Sequence, residues 1–169
     1  MKRILFAGGT MNRILFAASL VALTAHAQGE VKDIVDIAVA SKDHTTLVTA
    51  LKAADYATAL KNPGPLTVFA PTNAAFDKLP KGTVEELLKP EKKGALEKLL
   101  QYHVTPSVYE VKWLKDGQKL GQVNGGKVTI GVKNGKVTVN GANVIASIRA
   151  SNGIVHVIDA VLLPEEPKK

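Results

Sequence analysis

The sequence predicts an α+β fold, with helices in its first half and β-hairpins in its second. Apolar residues recur at helical spacing as far as Val104, whereas from Gln118 onward they alternate with polar ones. Asn134 and Gly135 form an Asn-Gly pair between two alternating runs, which is the strongest short signal for a hairpin. Helices followed by hairpins, rather than helices alternating with strands, favour α+β over α/β.

The first 27 residues have the pattern of a secretory signal peptide. Basic residues precede an apolar run at 14–25, and Ala25-His26-Ala27 has the Ala-x-Ala form of a cleavage site. Polar residues and glycines interrupt the apolar stretch, which favours cleavage over a membrane anchor. We therefore expect cleavage after Ala27 and a secreted or periplasmic protein. MKRILFA at Met1 is nearly repeated at Met11, so either methionine can be the start without changing the mature chain.

The mature chain is predicted to be one domain without a membrane segment. We expect a short lead at 28–30, the domain at 31–164 and a polar tail at 165–169. The sequence has no cysteine, so disulfides, a thiol nucleophile and a lipid-modified cysteine are all excluded. The net charge is +7, but part of it lies in the signal peptide. Arg149 is the only arginine after Ala27 and the lysines are dispersed, so we expect no nucleic-acid binding.

The predicted helices begin at Asp33, a candidate N-cap for the stretch that ends at Ala40. A second helical pattern covers 45–60, with a possible break near Asp55. Thr83 and Glu86 have the spacing of a capping box. The next helix places four residues on one face: Leu96, Leu99, Leu100 and His103.

Two further segments have strand patterns that end in turn or stop signals. In LTVFAPTNAAF, Leu66–Phe76, a strand meets Pro71, which lacks an N–H, and Thr72 or Asn73 can cap the helix that follows. In NGIVHVIDAVLLP, Asn152–Pro164, an Asn-Gly turn precedes a β-rich run.

These two segments, together with LLQYHV at Leu99–Val104, resemble the conserved boxes of the fasciclin (FAS1, β-ig-h3) domain family, in the right order. The resemblance covers roughly 31–164, one domain of the family, and suits the secreted single-domain bacterial type. It implies a β-wedge of two packed sheets with a helical layer. It also implies structural roles for the box residues Thr67, Phe69, Pro71, Thr72, Asn73, Phe76, Asn152, Gly153, His156 and Asp159.

No familiar catalytic or phosphate-binding motif is present, and Gly125-Gly126 precedes a strand rather than a helix, which indicates a turn. For the histidines of the mature chain we prefer structural roles to a functional surface or a metal site. We expect no enzyme activity, catalytic residue, cofactor or metal. For Asn73, too, a structural role is preferred to a ligand role.

The function predicted from the resemblance is a non-enzymatic interaction module for cell-surface, matrix or host-cell adhesion, with a protein or polysaccharide partner. In animal members the Tyr-His box has been linked to integrin recognition. The candidate partner-binding residues are Tyr102, His103, Val104 and Tyr109, with exposed positions expected around Tyr102, Val104 and Tyr109. The family's acidic-aliphatic pair before the second box is missing, because this chain has ASIRA at Ala146–Ala150. The alternative is a periplasmic or extracellular protein that holds a small apolar or lipid-like ligand between helices and wedge.

Overall fold

The structure, a computed structural model, describes residues 32–164. The predicted signal peptide, the lead at 28–30 and the tail at 165–169 lie outside these residues. The helices are α1 (Ile34–Ala40), α2 (Thr45–Ala53), α3 (Ala57–Lys61), α4 (Asn73–Asp77), α5 (Thr83–Leu87) and α6 (Lys93–Tyr102), with 3-10 turns at Lys42–His44, Pro90–Lys92 and Val111–Trp113. The strands are β1 (Leu66–Pro71), β2 (Val104–Thr105), β3 (Lys119–Gly121), β4 (Lys127–Lys133), β5 (Lys136–Val139), β6 (Ala142–Ala150) and β7 (Gly153–Ile158).

The strands lie in the order β2-β1-β7-β6-β5-β4-β3. Strands β1 and β7 are parallel neighbours, and Phe69 lies opposite His156. The remaining neighbours are antiparallel. The two boxes predicted from the sequence as strands are therefore direct neighbours in the sheet.

Strand β6 joins two halves of this sheet. The first half contains β2, β1 and β7, and the second contains β5, β4 and β3. Strand β6 pairs with β7 over Val144–Ala150 but with β5 only through Ala142 and Asn143. A β-bulge interrupts its pairing with β7 between Val144 and Ala146, and such bulges bend a strand and increase its twist. One buried cluster contains Phe69 and Ile158 from the first half and residues of β3, β4 and β5 from the second. The halves thus pack face to face, which confirms the predicted wedge and the α+β class.

A second buried cluster joins the opposite face of the first half to the helices. Val68 and Val155 from the sheet meet Leu47, Leu51 and Leu100 from α2 and α6. Burying each of these large side chains stabilises the fold by roughly 1.5–3 kcal/mol.

Local signals in the sequence explain several element boundaries. Asp33 caps α1 by accepting from the Asp36 N–H at 2.7 Å, and Thr72 caps α4 by accepting from the Ala75 N–H at 3.3 Å. Asp55 has a φ of 55°, which breaks the helical pattern between α2 and α3. These predictions are confirmed. In the β4–β5 hairpin, Asn134 and Gly135 both have positive φ, 51° and 74°, as a type I′ turn requires.

The capping box predicted at Thr83 and Glu86 is wrong. Gly82 occupies the N-cap position of α5 with a φ of 86°, and Thr83 is already the first helical residue. A glycine adopts this left-handed conformation at little steric cost, so the helix begins there without a side-chain cap. Every residue of α5 keeps some exposure to solvent.

Candidate functional site

The Tyr-His segment, Tyr102 to Val104, is buried rather than exposed. The exposed fractions are 3% for Tyr102, 4% for His103 and 2% for Val104, so the expected exposure around Tyr102 and Val104 is wrong. Tyr102 belongs to the cluster between the two half-sheets, and Val104 enters β2, where it pairs with Val68. The partner-binding role suggested for these residues stays a prediction, but their side chains do not form an open surface.

The Tyr102 side chain links α6 to the second half-sheet. Its hydroxyl donates to the Lys127 carbonyl at 2.9 Å and accepts from the Asn140 side-chain amide at 3.0 Å. A Cβ on Gly126 would lie 2.7 Å from the tyrosine ring, so the ring packs where a side chain would otherwise be. The Gly125-Gly126 turn thus makes room for an aromatic residue.

His103 fastens the end of the described chain to α6. Its Nδ1 donates to the Leu99 carbonyl at 2.8 Å, and its Nε2 accepts from the Leu162 N–H at 2.9 Å. Because the carbonyl can only accept and the N–H can only donate, the ring is neutral with its proton on Nδ1. Burial lowers the pKa of His103 to about 4, which favours the same neutral state.

His156 is neutral in the opposite tautomer. Its Nε2 donates to the Tyr109 carbonyl at 2.7 Å, and its Nδ1 accepts from the Ser147 hydroxyl at 2.7 Å. The ring stacks on Phe69 with centroids 5.7 Å apart. Burial lowers the pKa of His156 as well. This histidine therefore fixes β6 and the segment around Tyr109 on β7.

Tyr109 is half-buried and lies on a segment that crosses the sheet. Thr67 secures this crossing, because its hydroxyl donates to the Ser107 carbonyl at 2.6 Å and accepts from the Tyr109 N–H at 2.9 Å. Of the four predicted partner-binding residues, Tyr109 alone retains substantial exposure.

The remaining box residues bridge separate elements. The Asn73 side chain accepts from the Thr46 N–H at 3.0 Å and donates to the Lys42 carbonyl at 3.0 Å. The Asn152 side chain accepts from the Ile34 N–H at 3.1 Å and donates to the Leu60 carbonyl at 2.6 Å. These contacts support the predicted structural roles.

Gly153 and Asp159 are placed by their contacts at the two ends of β7. A Cβ on Gly153 would lie 2.0 Å from the Leu66 carbonyl oxygen, so β1 and β7 approach more closely than a side chain allows. The Asp159 carboxylate accepts from both the backbone and the side-chain amide of Asn143, each at 2.8 Å. The Asn143 side-chain amide, more than any other group, lowers the pKa of Asp159.

The most exposed strand surface of the described chain is the outer edge of β6, which the sequence analysis did not identify. Five consecutive residues, Ile145–Arg149, are exposed, including Ile145 at 60% and Ile148 at 40%. Within residues 32–164 this stretch pairs with β7 alone, because β5 leaves β6 at Asn143. One sequence signal was available: the large apolar residues of VIASIRA do not follow the two-residue period of the other strands.

A recess of about 400 Å³ lies beside this edge. Its walls are 110–112 on one side and 147–149 with Ile154 and His156 on the other. Glu110 at the rim accepts from Lys112 at 2.6 Å and also pairs with Arg149. The Lys112 ammonium, more than any other group, holds the pKa of the Glu110 carboxyl below its usual range, with Arg149 adding to the effect. Two cations therefore share one carboxylate here.

A second, wider open groove of about 690 Å³ lies next to the recess. The groove shares Arg149 and Ile154 with the recess and reaches Lys61 and the Pro63–Pro65 loop. By contrast, the cavity between the helical layer and the sheet measures only about 20 Å³. That space is close to the minimum that holds a single water molecule.

In the described part of the chain, His, Asp and Glu side chains form no group of three that could hold a metal ion. Among the same residues, no helix has the length and apolar character needed to cross a membrane.

Comparison with known proteins identifies the family. The model of the fasciclin domain matches residues 42–164. Protein sll1483 of Synechocystis sp. is 51% identical over 132 residues, which are 78% of this chain and 73% of that protein. The cell surface glycolipoprotein MPB83 of Mycobacterium bovis is 36% identical over 103 residues, which are 61% of this chain and 46% of that protein.

A solved structure has the same fold. It is a FAS1 domain pair from the insect cell adhesion molecule fasciclin I, with a TM-score of 0.68, 18% identity, and coverage of 79% of this chain and 51% of that chain. At this identity the match concerns the fold alone. The match of the family model over most of the chain, together with the sequence identity to sll1483, shows that this chain belongs to the fasciclin domain family.

Proposed function

We propose that this protein is an exported, non-enzymatic interaction module that attaches to a component of a cell surface, extracellular matrix or host cell. The proposal rests chiefly on the outer edge of β6, where Ile145–Arg149 is exposed beside an open recess. The name of one similar protein, a cell surface glycolipoprotein, supports a role at a cell surface.

The hydrogen bonds of His103 and His156 support structural rather than catalytic roles for these two residues. General base catalysis requires a ring nitrogen within reach of a substrate proton. In His103 and His156 both ring nitrogens are already hydrogen-bonded to the protein, and both rings are buried. We therefore propose that they stabilise the scaffold and perform no chemistry.

We further propose that direct partner contacts come from β6 and the neighbouring segment 109–113. Tyr109 and Trp113 provide aromatic surface there, and Trp113 is 52% exposed. Aromatic residues are enriched at interaction sites because they bury a large area with few rotatable bonds. Tyr102, His103 and Val104, which are buried, would then stabilise the fold without contacting the partner.

The alternative ligand, a lipid-like molecule between the helices and the wedge, would meet apolar walls there but has too little space. The cavity at that position measures about 20 Å³, whereas pockets for drug-sized ligands measure about 300–1,000 Å³.

Export of the protein depends on the signal peptide that we propose for residues 1–27. N-terminal sequencing of the exported protein should give Gln28 as its first residue. A chain that keeps Met1 or Met11 and sediments with membranes would contradict both cleavage and localisation.

Two matched variants test the attachment surface. Ile145→Asp places a charge on β6, whereas Val39→Asp places one on α1, and the two wild-type side chains are similarly exposed, at 60% and 57%. We expect Ile145→Asp to reduce binding of labelled protein to native cells or matrix about tenfold. Val39→Asp should bind like the wild type. Equal binding by both variants, with unchanged melting temperatures, would exclude β6 as the attachment surface.

A further inference from the structure

We propose that β6 binds an extended segment of a partner protein as an additional strand, and that this segment contains a large apolar side chain next to a carboxylate. The inference rests on the proposed function, because it specifies the chemistry of the partner and the mode of attachment. Three features of the β6 surface lead to it: its unpaired backbone, its adjacent recess and its charge.

The first feature is the backbone of Ile145–Arg149. A strand with one neighbour presents its other row of N–H and C=O groups to any chain that can pair with it. Five residues at about 3.3 Å each give a free edge of roughly 16 Å. The bulge near Val144 and the return to burial at Ala150 limit the free stretch at its two ends. The site therefore suits a short segment rather than a whole sheet.

The second feature is the recess beside the edge. On an added strand every second side chain faces the same side of the sheet, so one of them can enter the recess. Its volume of about 400 Å³ accommodates a large side chain, and Val111, Ile148 and Ile154 give it apolar walls. Backbone pairing then supplies affinity, and the recess selects the side chain, as in other cases of strand addition.

The third feature is the positive charge around the edge. At the rim of the recess, Lys112 and Arg149 share the single carboxylate of Glu110. Lys133 and Lys136 line a second opening, of about 470 Å³, next to Asn143 where β5 leaves β6. The Asp159 carboxylate offsets part of this charge near Asn143, so it is chiefly the two cations at the recess that favour an acidic segment. They disfavour a second copy of this chain, because pairing β6 with β6 would bring two surfaces of like charge together.

The experiment uses three labelled ten-residue peptides and the purified mature protein. The first peptide alternates isoleucine with glutamate, the second replaces each glutamate by lysine, and the third replaces each isoleucine by proline. Fluorescence anisotropy measures binding, and amide hydrogen exchange locates it. We expect the acidic peptide to bind and to slow exchange in β6. The lysine peptide should bind about tenfold more weakly, and the proline peptide, which lacks half of the backbone donors, should not bind.

Two lysine variants provide the matched control on the protein side. Lys112→Glu reverses charge at the recess, whereas Lys119→Glu reverses the charge of an exposed lysine on β3. Both should fold, because surface substitutions usually change stability little. We expect Lys112→Glu to weaken binding of the acidic peptide about tenfold and Lys119→Glu to leave it nearly unchanged.

Several results would overturn strand addition. These are no binding of the acidic peptide, equal binding of the proline peptide, protection outside β6, or equal effects of the two lysine variants. A dimer that buries β6 and excludes the peptide would show that a second copy is the occupant. Binding of a polysaccharide at β6, with no peptide bound, would show a different class of partner.

Failure of this inference can be distinguished from failure of the proposed function. If cells bind through Ile145 but the peptides do not bind, strand addition is wrong and attachment stands. If the acidic peptide binds but the protein attaches to no cell or matrix, strand addition stands and the proposed attachment function is wrong.

Discussion

The helical side of the sheet and its β6 edge differ in how completely they are closed, although each contains a buried neutral histidine. On the helical side, next to His103, apolar side chains leave a cavity of only about 20 Å³. At the edge, next to His156, five consecutive residues are exposed beside a recess of about 400 Å³. The first region therefore contributes mainly to stability, whereas the second has surface available for a partner. Changes on the two sides should affect stability and attachment separately.

The largest expected effect is that of Gly153→Ala. This substitution should disrupt the β1–β7 pairing on which both regions depend. The new Cβ would lie 2.0 Å from the Leu66 carbonyl oxygen, a backbone atom that cannot move without separating β1 from β7. We expect a loss of about 4 kcal/mol or more in unfolding free energy. Urea denaturation checks this, with Gly64→Ala as the control because a Cβ there meets no atom within 4 Å. Equal stability of the two variants would contradict the close approach.

Acid should destabilise the folded protein through protonation of His103. The folded-state pKa of His103 is about 4, below its ordinary value of 6.5, so the unfolded chain takes up the proton at higher pH than the folded protein does. The stabilisation of the folded protein by neutral His103 is complete above about pH 6.5. As the pH falls towards 4, the unfolding free energy decreases by roughly 3 kcal/mol. Burial lowers the pKa of His44 and His156 as well, which adds loss in the same direction.

Urea denaturation at a series of pH values measures this loss. The variant His103→Gln should be less stable than wild type at neutral pH and should depend less on pH between 6.5 and 4. An unchanged pH dependence would show that His103 is not neutral in the folded protein.

Replacing each histidine separately should sharpen the comparison. We expect His103→Ala and His156→Ala each to cost of order 1–3 kcal/mol, because each leaves hydrogen-bonding partners unpaired. Only His156→Ala should also reduce attachment, since His156 holds Ser147 and the Tyr109 carbonyl beside the recess. Measurements of melting temperature and cell binding, made below the melting temperature of both variants, separate the two effects. Equal loss of attachment in His103→Ala and His156→Ala would contradict this separation of stability from attachment.

The smallest effect on stability is expected from Glu110→Gln. This carboxylate lies at the rim of the recess, and its ion pairs with Lys112 and Arg149 involve cations that are largely exposed. We expect an unchanged melting temperature but several-fold tighter binding of the acidic peptide, because two cations are no longer neutralised. High salt should remove the difference. Weaker binding would contradict the charge argument.

Much of the fold could be predicted because its signals are local. Asp33 and Thr72 cap helices within three residues of themselves, and the turn at Asn134 and Gly135 is determined by two adjacent residues. The family resemblance of the three boxes implied the β-wedge, but the caps and the turn are predicted from adjacent residues alone. These signals require no knowledge of distant neighbours.

The candidate site could not be predicted in the same way, because exposure depends on distant parts of the chain. Tyr102 is buried through contacts with Gly126, Lys127 and Asn140, which are far from it in sequence. The free edge of β6 exists because β5 leaves it at Asn143. Neither event has a sequence signal as strong as a cap or an Asn-Gly turn.

The parallel pairing of β1 with β7 also has a consequence for when the protein can fold. Leu66 pairs with Gly153, so this strand pair joins segments that are far apart in the chain. Contacts between such distant segments slow folding, because the entropy of closing a long loop is lost before the contacts form. A chain that emerges N-terminus first from a ribosome or a membrane pore cannot complete its core until β7 has followed. The export proposed above would benefit from this slow step, because a chain crosses a membrane pore more easily before its core has formed.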